Sequence, residues 1–311
     1  MKYQRILVTG GAGFVGSHLV DALVEAGTDV VVVDNLSTGS PDNLNPGAEF
    51  IEADTRDGKM MKQVIASGVD AVIHLAARVS VRSSVEGFLD DADNNVLGTL
   101  TLLDACRNTG VKKFVYASSM AVYADGAERT PIPETYPKAP PSPYGVAKLT
   151  CERYLELLQP SLGMQIAALR YFNIYGPRQG YTPYVGVITI FSKELLKDQP
   201  PVIFGDGEQT RDFVSVRDIV QGTLLALDAD IDWDVFNIGS GRGWTVNQIA
   251  QMLIDKIQPG TVPESADARP EEMLFSVADL TKSKEKLGYE PTGKLEEDID
   301  EIIQWCRDNL D

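Results

Sequence analysis

Residues 5–9 (Arg-Ile-Leu-Val-Thr) form a short apolar run, and a glycine-rich turn follows it. From Phe14 to Glu25 the apolar residues recur at helical spacing, and residues 29–34 (Asp-Val-Val-Val-Val-Asp) are again a short continuous apolar stretch. Runs of that length, apolar throughout and bounded by turn residues, read as strands buried on both faces, so 5–34 is a βαβ unit. The same pattern predicts strands at 49–53, 70–75 and 113–118, with helices at 57–67, 86–109 and 144–159 between or after them. Strands alternating with helices imply a parallel sheet covered on both sides. A proline-rich stretch at 125–143 reads as a long ordered loop leading to Tyr144.

After a strand at 165–171 the alternation weakens. Short pieces follow: helices near 187–197, 216–228, 245–256 and 294–308, and a strand at 201–204. The expected fold class is therefore α/β, a doubly wound parallel sheet of Rossmann type with a smaller mixed α/β C-terminal substrate lobe. The expected division is 1–173 for the dinucleotide-binding part, with its last strands and helices coming from about 205–240. Residues 174–311 make up most of the second lobe, interleaved with the first. No repeat or low-complexity segment is visible.

The 311 residues suffice for one large α/β domain and a smaller lobe. No apolar stretch approaches membrane-spanning length, and residues 1–5 lead directly into the first strand without a signal-peptide pattern, so a cytoplasmic protein is expected. Three dispersed cysteines (Cys106, Cys151, Cys306) argue against a disulfide framework and for a reducing compartment. His18 and His74 are the only histidines, and with no metal-ligand spacing no bound metal is expected. The net charge of −17 disfavours nucleic acid or anionic membrane as a partner. An acidic chain that binds an acidic ligand must gather its few cations at the site, which makes single arginines worth following.

The turn Gly10-Gly11-Ala12-Gly13-Phe14-Val15-Gly16 sits between the first strand and the first helix. Gly10, Gly13 and Gly16 lack the β-carbons that would keep a pyrophosphate from the backbone, and the helix presents its positive end there. Asp34 ends the second strand, where a carboxylate accepts from a ribose diol and repels a 2′-phosphate; no arginine follows in Asn35-Leu36-Ser37-Thr38-Gly39, so NAD is expected rather than NADP. Asp54, after the third strand, is suited to accept from an adenine amine, or it caps the helix that follows.

Tyr144 and Lys148 stand four apart on one face of a helix. An ammonium beside a phenol favours the phenolate, as does a positive nicotinamide ring, and together they could bring Tyr144 toward neutrality as a general base for a sugar hydroxyl. Ser118-Ser119 lies at the C-terminal end of a parallel strand, where ligands of open α/β sheets bind, and Ser119 could hydrogen-bond the same hydroxyl. No GxSxG turn is present, which excludes the usual serine-hydrolase arrangement on this type of fold.

These features, with His74-Leu75-Ala76-Ala77, Asn95-Val96-Leu97-Gly98-Thr99, Ser118-Ser119-Met120-Ala121-Val122-Tyr123, Arg170-Tyr171-Phe172-Asn173, Tyr175-Gly176-Pro177-Arg178, Gly205-Asp206-Gly207, Arg211-Asp212-Phe213 and Ala268-Arg269-Pro270, resemble the extended short-chain dehydrogenase/reductase family over essentially the whole chain. The likeness is to its UDP-glucose 4-epimerase-like branch. That resemblance implies NAD, a UDP-sugar substrate, inversion at C4 through a transient 4-keto sugar, and catalysis by Ser119, Tyr144 and Lys148. It further implies that Phe14, Val15, Asn35, Ser37, Thr38, Gly39, Thr55, Leu75, Ala76, Ala77, Asn95, Ala117, Ser118, Tyr171 and Phe172 line the cofactor. Ser80, Asn173, Val187, Phe204, Arg211, Arg269, Glu272 and Ser276 are implied on the substrate side, with the two arginines on the diphosphate and nucleoside.

Two departures stand out. Ala124 replaces a frequent glycine, and Glu271-Glu272 follow Arg269-Pro270 where the family has Gly-Asp, so Glu272 would reach farther toward a ribose. Ser276 aligns with a position that gates the sugar's 2-substituent, and a small residue there leaves room for an N-acetyl group. Relatives that eliminate water or decarboxylate usually carry an acid after the catalytic Ser/Thr; Met120 and Ala121 stand there instead. A 4-reductase stays open, as does a non-catalytic dinucleotide sensor. The resemblance also implies a homodimer through helices 86–109 and 144–159, although their apolar faces could equally pack inward.

Overall fold

The computed structural model describes residues 2–125, 129–180, 186–268 and 273–310. The chain lays down β1 (Arg5–Thr9), β2 (Asp29–Asp34), β3 (Glu49–Glu52), β4 (Ala71–His74), β5 (Lys113–Ser119) and β6 (Gln165–Tyr171) in one sheet. It leaves that sheet for β7 (Asn173–Tyr175), β8 (Val202–Phe204) and β9 (Thr210–Ser215), returns for β10 (Trp233–Ile238), and leaves again for β11 (Gly243–Thr245), β12 (Glu264–Ala266) and β13 (Phe275–Ser276). Helices α1 (Phe14–Glu25), α2 (Gly58–Ala66), α3 (Val81–Glu86), α4 (Phe88–Ala92), α5 (Gly98–Cys106) and α6 (Pro143–Leu162) precede β6. Helices α7 (Val187–Leu196), α8 (Val216–Asp228), α9 (Val246–Ile257), α10 (Thr281–Leu287) and α11 (Leu295–Asn309) follow it.

The seven-stranded sheet runs β3-β2-β1-β4-β5-β6-β10 with every neighbouring pair parallel. This is the Rossmann α/β fold, and the winding direction reverses between β1 and β4, which opens a crevice at the C-terminal ends of those strands. The period-two alternation of each strand sends its residues to two cores. Ile6, Val8, Val30, Val32 and Ile73 meet Leu19 and Leu23 of α1 and Ile219 of α8, while Leu7, Val31, Val33, Val72 and Phe114 meet Val64 of α2, Leu102 of α5 and Leu155 of α6. Because both faces are covered, the middle of a strand such as Val30–Val33 is apolar on both sides, which is why these strands were readable as continuous runs.

The second lobe is built on β9. Its first half pairs with β11 and β13 and its second half with β7, while β8 and β12 form a separate pair. A third core of α7, α9 and α11 packs beside it. β8 answers to the strand expected at 201–204; the others are two to six residues long and mix polar with apolar positions (Thr-Arg-Asp-Phe-Val-Ser, Gly-Trp-Thr, Glu-Ser-Ala), so periodicity alone did not reveal them. Among the described residues, no helix is long and apolar enough to cross a membrane.

The expected single helix at 86–109 is instead a succession: α4, a π-helical turn over Asp93–Leu97, then α5, which ends at Cys106. A π turn inserts one residue into the helical ladder and re-aims what it carries. What it carries here is Asn95, whose amide clamps the backbone of Arg78 from both sides, accepting from its N–H at 2.9 Å and donating to its carbonyl at 3.1 Å. The catalytic-helix candidate α6 starts on Ser142, whose hydroxyl accepts from the Gly145 N–H, with Pro143 in the first turn, and stops at Gly163 in the left-handed region. Gly145 lets α6 press against the 120–122 turn: a β-carbon there would lie 2.2 Å from the Ala121 carbonyl oxygen.

Candidate active site

The crevice between β1 and β4 is floored by the glycine turn. Gly10 adopts a φ of +74°, and a β-carbon on it would meet the Ala76 nitrogen at 2.8 Å; one on Gly16 would lie 2.0 Å from the Gly10 carbonyl oxygen. Both positions are therefore closed to any side chain. Gly13 is the N-cap of α1 and has no side chain with which to cap the helix's first turn, at Phe14 and Val15. Uncapped donors at the positive end of a helix, in a turn stripped of β-carbons, are the local chemistry of a phosphate cradle.

Asp34 is nearly buried at the end of β2, where its two oxygens accept from the backbone N–H groups of Ala12 (3.0 Å) and Leu36 (2.8 Å). It thus ties the glycine turn to the loop that carries Asn35, Ser37, Thr38 and Gly39, and Gly39 closes against Ala12. One bond per oxygen leaves acceptor capacity for a diol. Asp54 is different. Arg56 grips it in a fork (2.9 and 2.7 Å), the Arg56 N–H donates to it at 2.9 Å and Asn35 at 2.9 Å, which together hold its pKa well below the carboxylate range. All four lone-pair positions are engaged, so an adenine amine must displace one of these donors. The helix-capping alternative is corrected: α2 is capped by Asp57, which accepts from the Lys59 and Met60 N–H groups. Thr55 is half-buried beside Gly98.

Behind Leu75, Ala76 and Ala77, all half-buried, runs a buried relay. The Ala76 N–H reaches the Thr9 hydroxyl at 3.4 Å, Thr9 meets His74 Nδ1 at 2.7 Å, His74 Nε2 meets Thr99 at 2.9 Å, and Thr99 donates to the Asn95 carbonyl at 2.7 Å. Since Thr99 spends its proton on Asn95, it accepts from His74, which fixes the Nε2–H tautomer and leaves Nδ1 to accept from Thr9. Burial first, and the Lys148 charge second, drop the His74 pKa to about 3. Asn95 also donates to Asp91 at 2.9 Å, and burial raises that carboxyl.

Ser119 ends β5 opposite Tyr171 of β6, and its hydroxyl accepts from the Ala121 N–H at 3.2 Å. Tyr144, in the first turn of α6, is buried, and its phenol interacts with the Ser119 side chain. One turn on, the Lys148 ammonium donates to the Ala117 carbonyl at 2.8 Å, standing 4.9 Å from the Tyr116 ring centre and 5.8 Å from that of Tyr144. Thus Ser119, Tyr144 and Lys148 come together. The electrostatics differ from the sequence expectation. Burial pushes the Tyr144 phenol up to about 12, opposed by Ser119 and reinforced by Asp91, and burial pulls Lys148 down to about 8. The protein alone therefore keeps Tyr144 protonated, because desolvation outweighs whatever the ammonium contributes.

Ser118, implied on the cofactor side, has its hydroxyl engaged elsewhere. That hydroxyl donates to Glu152 Oε1 at 2.5 Å. Tyr171 likewise commits its hydroxyl to Thr223 of α8 at 2.8 Å, while Phe172 is buried beside it. Ser80 caps α3 by accepting from the Ser83 N–H.

In the second lobe, β9 gathers the expected substrate residues. Arg211 is flanked by Trp244 of β11 and Ser276 of β13, and donates to the Thr210 carbonyl; Asn173 of β7 pairs two residues farther on, at Phe213. Asn173 Nδ2 and Ser276 Oγ are buried and have no hydrogen-bond partner among the described residues. Val187 opens α7 and Phe204 ends β8, both half-buried. Arg269 and Glu272 lie outside the described residues. Asp91, Glu152, Thr9 and Thr99 were not picked out from sequence. The available signal was a polar residue on the buried face of an apolar element, as at Glu152, four residues beyond Lys148.

The chain matches the model of the NAD dependent epimerase/dehydratase family over residues 6–239. It belongs to that family. A putative UDP-glucose 4-epimerase of Methanocaldococcus jannaschii is 41% identical over 307 residues, covering 98% of this chain and 99% of that protein. The structure of a UDP-glucose 4-epimerase of Thermotoga maritima, solved with UDP-glucose, superposes with a TM-score of 0.95 at 43% identity, covering 99% of this chain and all of the other. A UDP-N-acetylglucosamine 4-epimerase of Methanobrevibacter ruminantium, solved with UDP-N-acetylmuramic acid, has a TM-score of 0.93 at 36% identity, covering both chains completely. This is an extended short-chain dehydrogenase/reductase of the UDP-glucose 4-epimerase-like kind, and NAD is its cofactor.

The relay makes His74 a neutral structural link. Its folded pKa lies below the unfolded value of about 6.5, so the stability it contributes is whole above about pH 6.5 and is lost as pH falls toward 3, at about 1.4 kcal/mol per unit. With only two histidines in the chain, proton NMR reads this directly. The His74 ring resonance is expected to stay flat from about pH 8 to about pH 5; a normal titration near 6.5 would contradict the relay.

Proposed function

We propose that this family member is a 4-epimerase of UDP-sugars, acting on UDP-glucose and UDP-galactose and also on their 2-acetamido counterparts through a transient 4-keto sugar. The observation that carries the reading is the convergence of Ser119, Tyr144 and Lys148 at the ends of β5 and α6, with the uncharged Met120 and Ala121 following Ser119. NAD, when bound, supplies a hydride acceptor and donor. Tyr144 takes the 4-hydroxyl proton and returns it, Ser119 orients that hydroxyl, and the Lys148 ammonium stabilises the phenolate. The pyrophosphate belongs on Gly10, Gly13, Phe14, Val15 and Gly16, and the adenosine on Asp34, the 35–39 loop, Asp54 and Thr55. Leu75, Ala76, Ala77, Asn95, Ala117, the Ser118 backbone, Tyr171 and Phe172 complete that side.

The unpartnered Asn173 amide supports a role as donor to the substrate diphosphate, with Arg211 and Arg269 as its cations and Ser80, Val187, Phe204, Glu272 and Ser276 lining the rest. In this reading residues 1–173, joined by parts of 205–240, are the NAD lobe, and 174–311 are mainly the substrate lobe. Binding energy concentrated on the nucleotide leaves the sugar free to present either face. We also infer a two-fold dimer. Phe88, Leu89, Leu97, Val146, Tyr154 and Leu157, on α4, the π turn and α6, are exposed together, an apolar face that a second copy would cover. The three cysteines are free and buried, which fits a cytoplasmic location.

Incubation with separate UDP-, dTDP- and GDP-sugars, followed by NMR of the anomeric protons, is expected to show C4 interconversion of UDP-sugars only. Tyr144→Phe should lower kcat by about 10² to 10⁴. No conversion by the unmodified protein would overturn the proposal. Ser276→Tyr, with its Tm followed in parallel, is expected to abolish turnover of the N-acetylated sugars while sparing UDP-glucose; equal loss of both defeats the acetamido assignment. Light scattering should give twice the chain mass, and a monomer at tens of micromolar would rule the dimer out.

A further inference from the structure

One buried cluster takes no part in the chemistry above. Glu152 lies two turns beyond Tyr144 and one beyond Lys148 on α6, and is almost fully buried. Arg170 grips it with two parallel bonds, Nε to Oε1 at 2.9 Å and Nη2 to Oε2 at 2.6 Å, and Ser118 adds a third at 2.5 Å. The other arm of Arg170 donates to the Tyr123 hydroxyl at 2.9 Å and the Glu134 carbonyl at 3.1 Å, and Tyr123 donates to Asn237 of β10 at 2.6 Å. The cluster lies against the reacting centre and the cofactor side. Ser118 precedes Ser119, Arg170 precedes Tyr171, the two pairs face each other in the β5–β6 ladder, and Tyr123 closes the turn that follows Ser119.

A buried ion pair is a poor way to gain stability, since its desolvation cost offsets most of its attraction, but it fixes geometry sharply. A same-shaped apolar filling would hold the helix against the strand without fixing its height.

We propose that the Glu152–Arg170–Ser118 cluster is the positioning element of this site. It locks α6 in register with the end of β5, and it places a fixed carboxylate one helical turn from the Lys148 ammonium. The inference rests on the epimerase reading for its kinetic consequence but not for its electrostatic one. The groups facing Lys148 are Cys151, Glu152 and Tyr144 of α6, Asp91 of α4, Tyr116 of β5 and His74 of β4, and the first three acidic partners, Cys151, Asp91 and Glu152, favour its charged form. Removing the Glu152 charge makes the ammonium less stable, so Lys148 loses its proton at lower pH.

The test compares Glu152→Gln, Glu152→Asp and Ser118→Ala with the unmodified enzyme. Cys306→Ala, in the remote core of α11, serves as a control for general loss of stability. In Glu152→Gln, kcat for UDP-glucose is expected to fall at least about 30-fold with KM within about threefold, and the alkaline limb of kcat/KM, near pH 8, to move down by about half a unit or more. Glu152→Asp should restore the limb with only part of the rate, and Ser118→Ala should cost about tenfold in kcat. Lysine ¹³Cε NMR of the ligand-free protein reads the same Lys148 shift without any turnover. Unchanged kcat in Glu152→Gln, or a rate loss with the limb and the lysine resonance unmoved, overturns the proposal. If Glu152→Gln does not fold, an unimpaired Ser118→Ala does so. Absence of turnover in the unmodified enzyme would instead strike the epimerase reading, and the lysine resonance would still decide this one.

Discussion

The placement of charge at the seam between α6 and the C-terminal end of β5 is what the rest of the structure depends on. Lys148, Glu152 and Arg170 are all nearly inaccessible, in a region where an unpaired ion would cost several kcal/mol. Each has a defined partner: a strand carbonyl for Lys148, a bidentate fork between Glu152 and Arg170. Because those partners sit on β5 and β6, the helix has one acceptable height against the sheet. Gly145 allows the approach and the Ser142 cap sets where the helix begins. That fit sets the height of Tyr144 against Ser119, with the Tyr144 N–H bonded to the Ser84 hydroxyl at 3.2 Å and Ser119 held in the β5–β6 ladder.

A second constraint links this seam to the nucleotide crevice. The line from Ala76 through Thr9, His74 and Thr99 to Asn95 joins the glycine turn of β1 to the π turn before α5, and Cys151 of α6 donates to the same Asn95 carbonyl at 3.3 Å. The fixed His74 tautomer gives the chain of bonds a single direction, so every buried donor in it is satisfied. The floor of the dinucleotide crevice and the wall of the reacting centre are therefore joined by one unbroken line of hydrogen bonds. Outside the seven-stranded sheet, β9 pairs with β7, β11 and β13 and so holds these shorter strands together.

What was legible in the sequence was whatever repeats or strips away side chains. The continuous Val30–Val33 run and the α1 periodicity gave their elements at the right bounds, since a sheet covered on both faces leaves no polar position to blur the signal. Gly10 and Gly16 were readable because only glycine fits so near another backbone. The pieces around β9 were not readable, since strands this short have no period. The break at Asp93–Leu97 was missed because a π turn has the same composition as a helix. The direction of Ser118 was also hidden: two adjacent serines on a strand face opposite ways, and the sequence does not say which faces the ligand.

The opposite displacements of Tyr144 and Lys148 bear on how such a site can be both stable and reactive. Burial raises the phenol to about 12 and lowers the ammonium to about 8, so each group is biased toward its neutral form. A charge-separated pair of phenolate and ammonium is disfavoured while these two alone share the cavity, which spares the ligand-free protein a reactive oxyanion. Additional positive charge near the phenol is then worth more than it would be in water, because the same low-polarity surroundings that suppress ionisation also strengthen attraction. Desolvation here is thus the source of the responsiveness. A more exposed Tyr144 would have a lower starting pKa, yet it would feel an incoming cation only weakly.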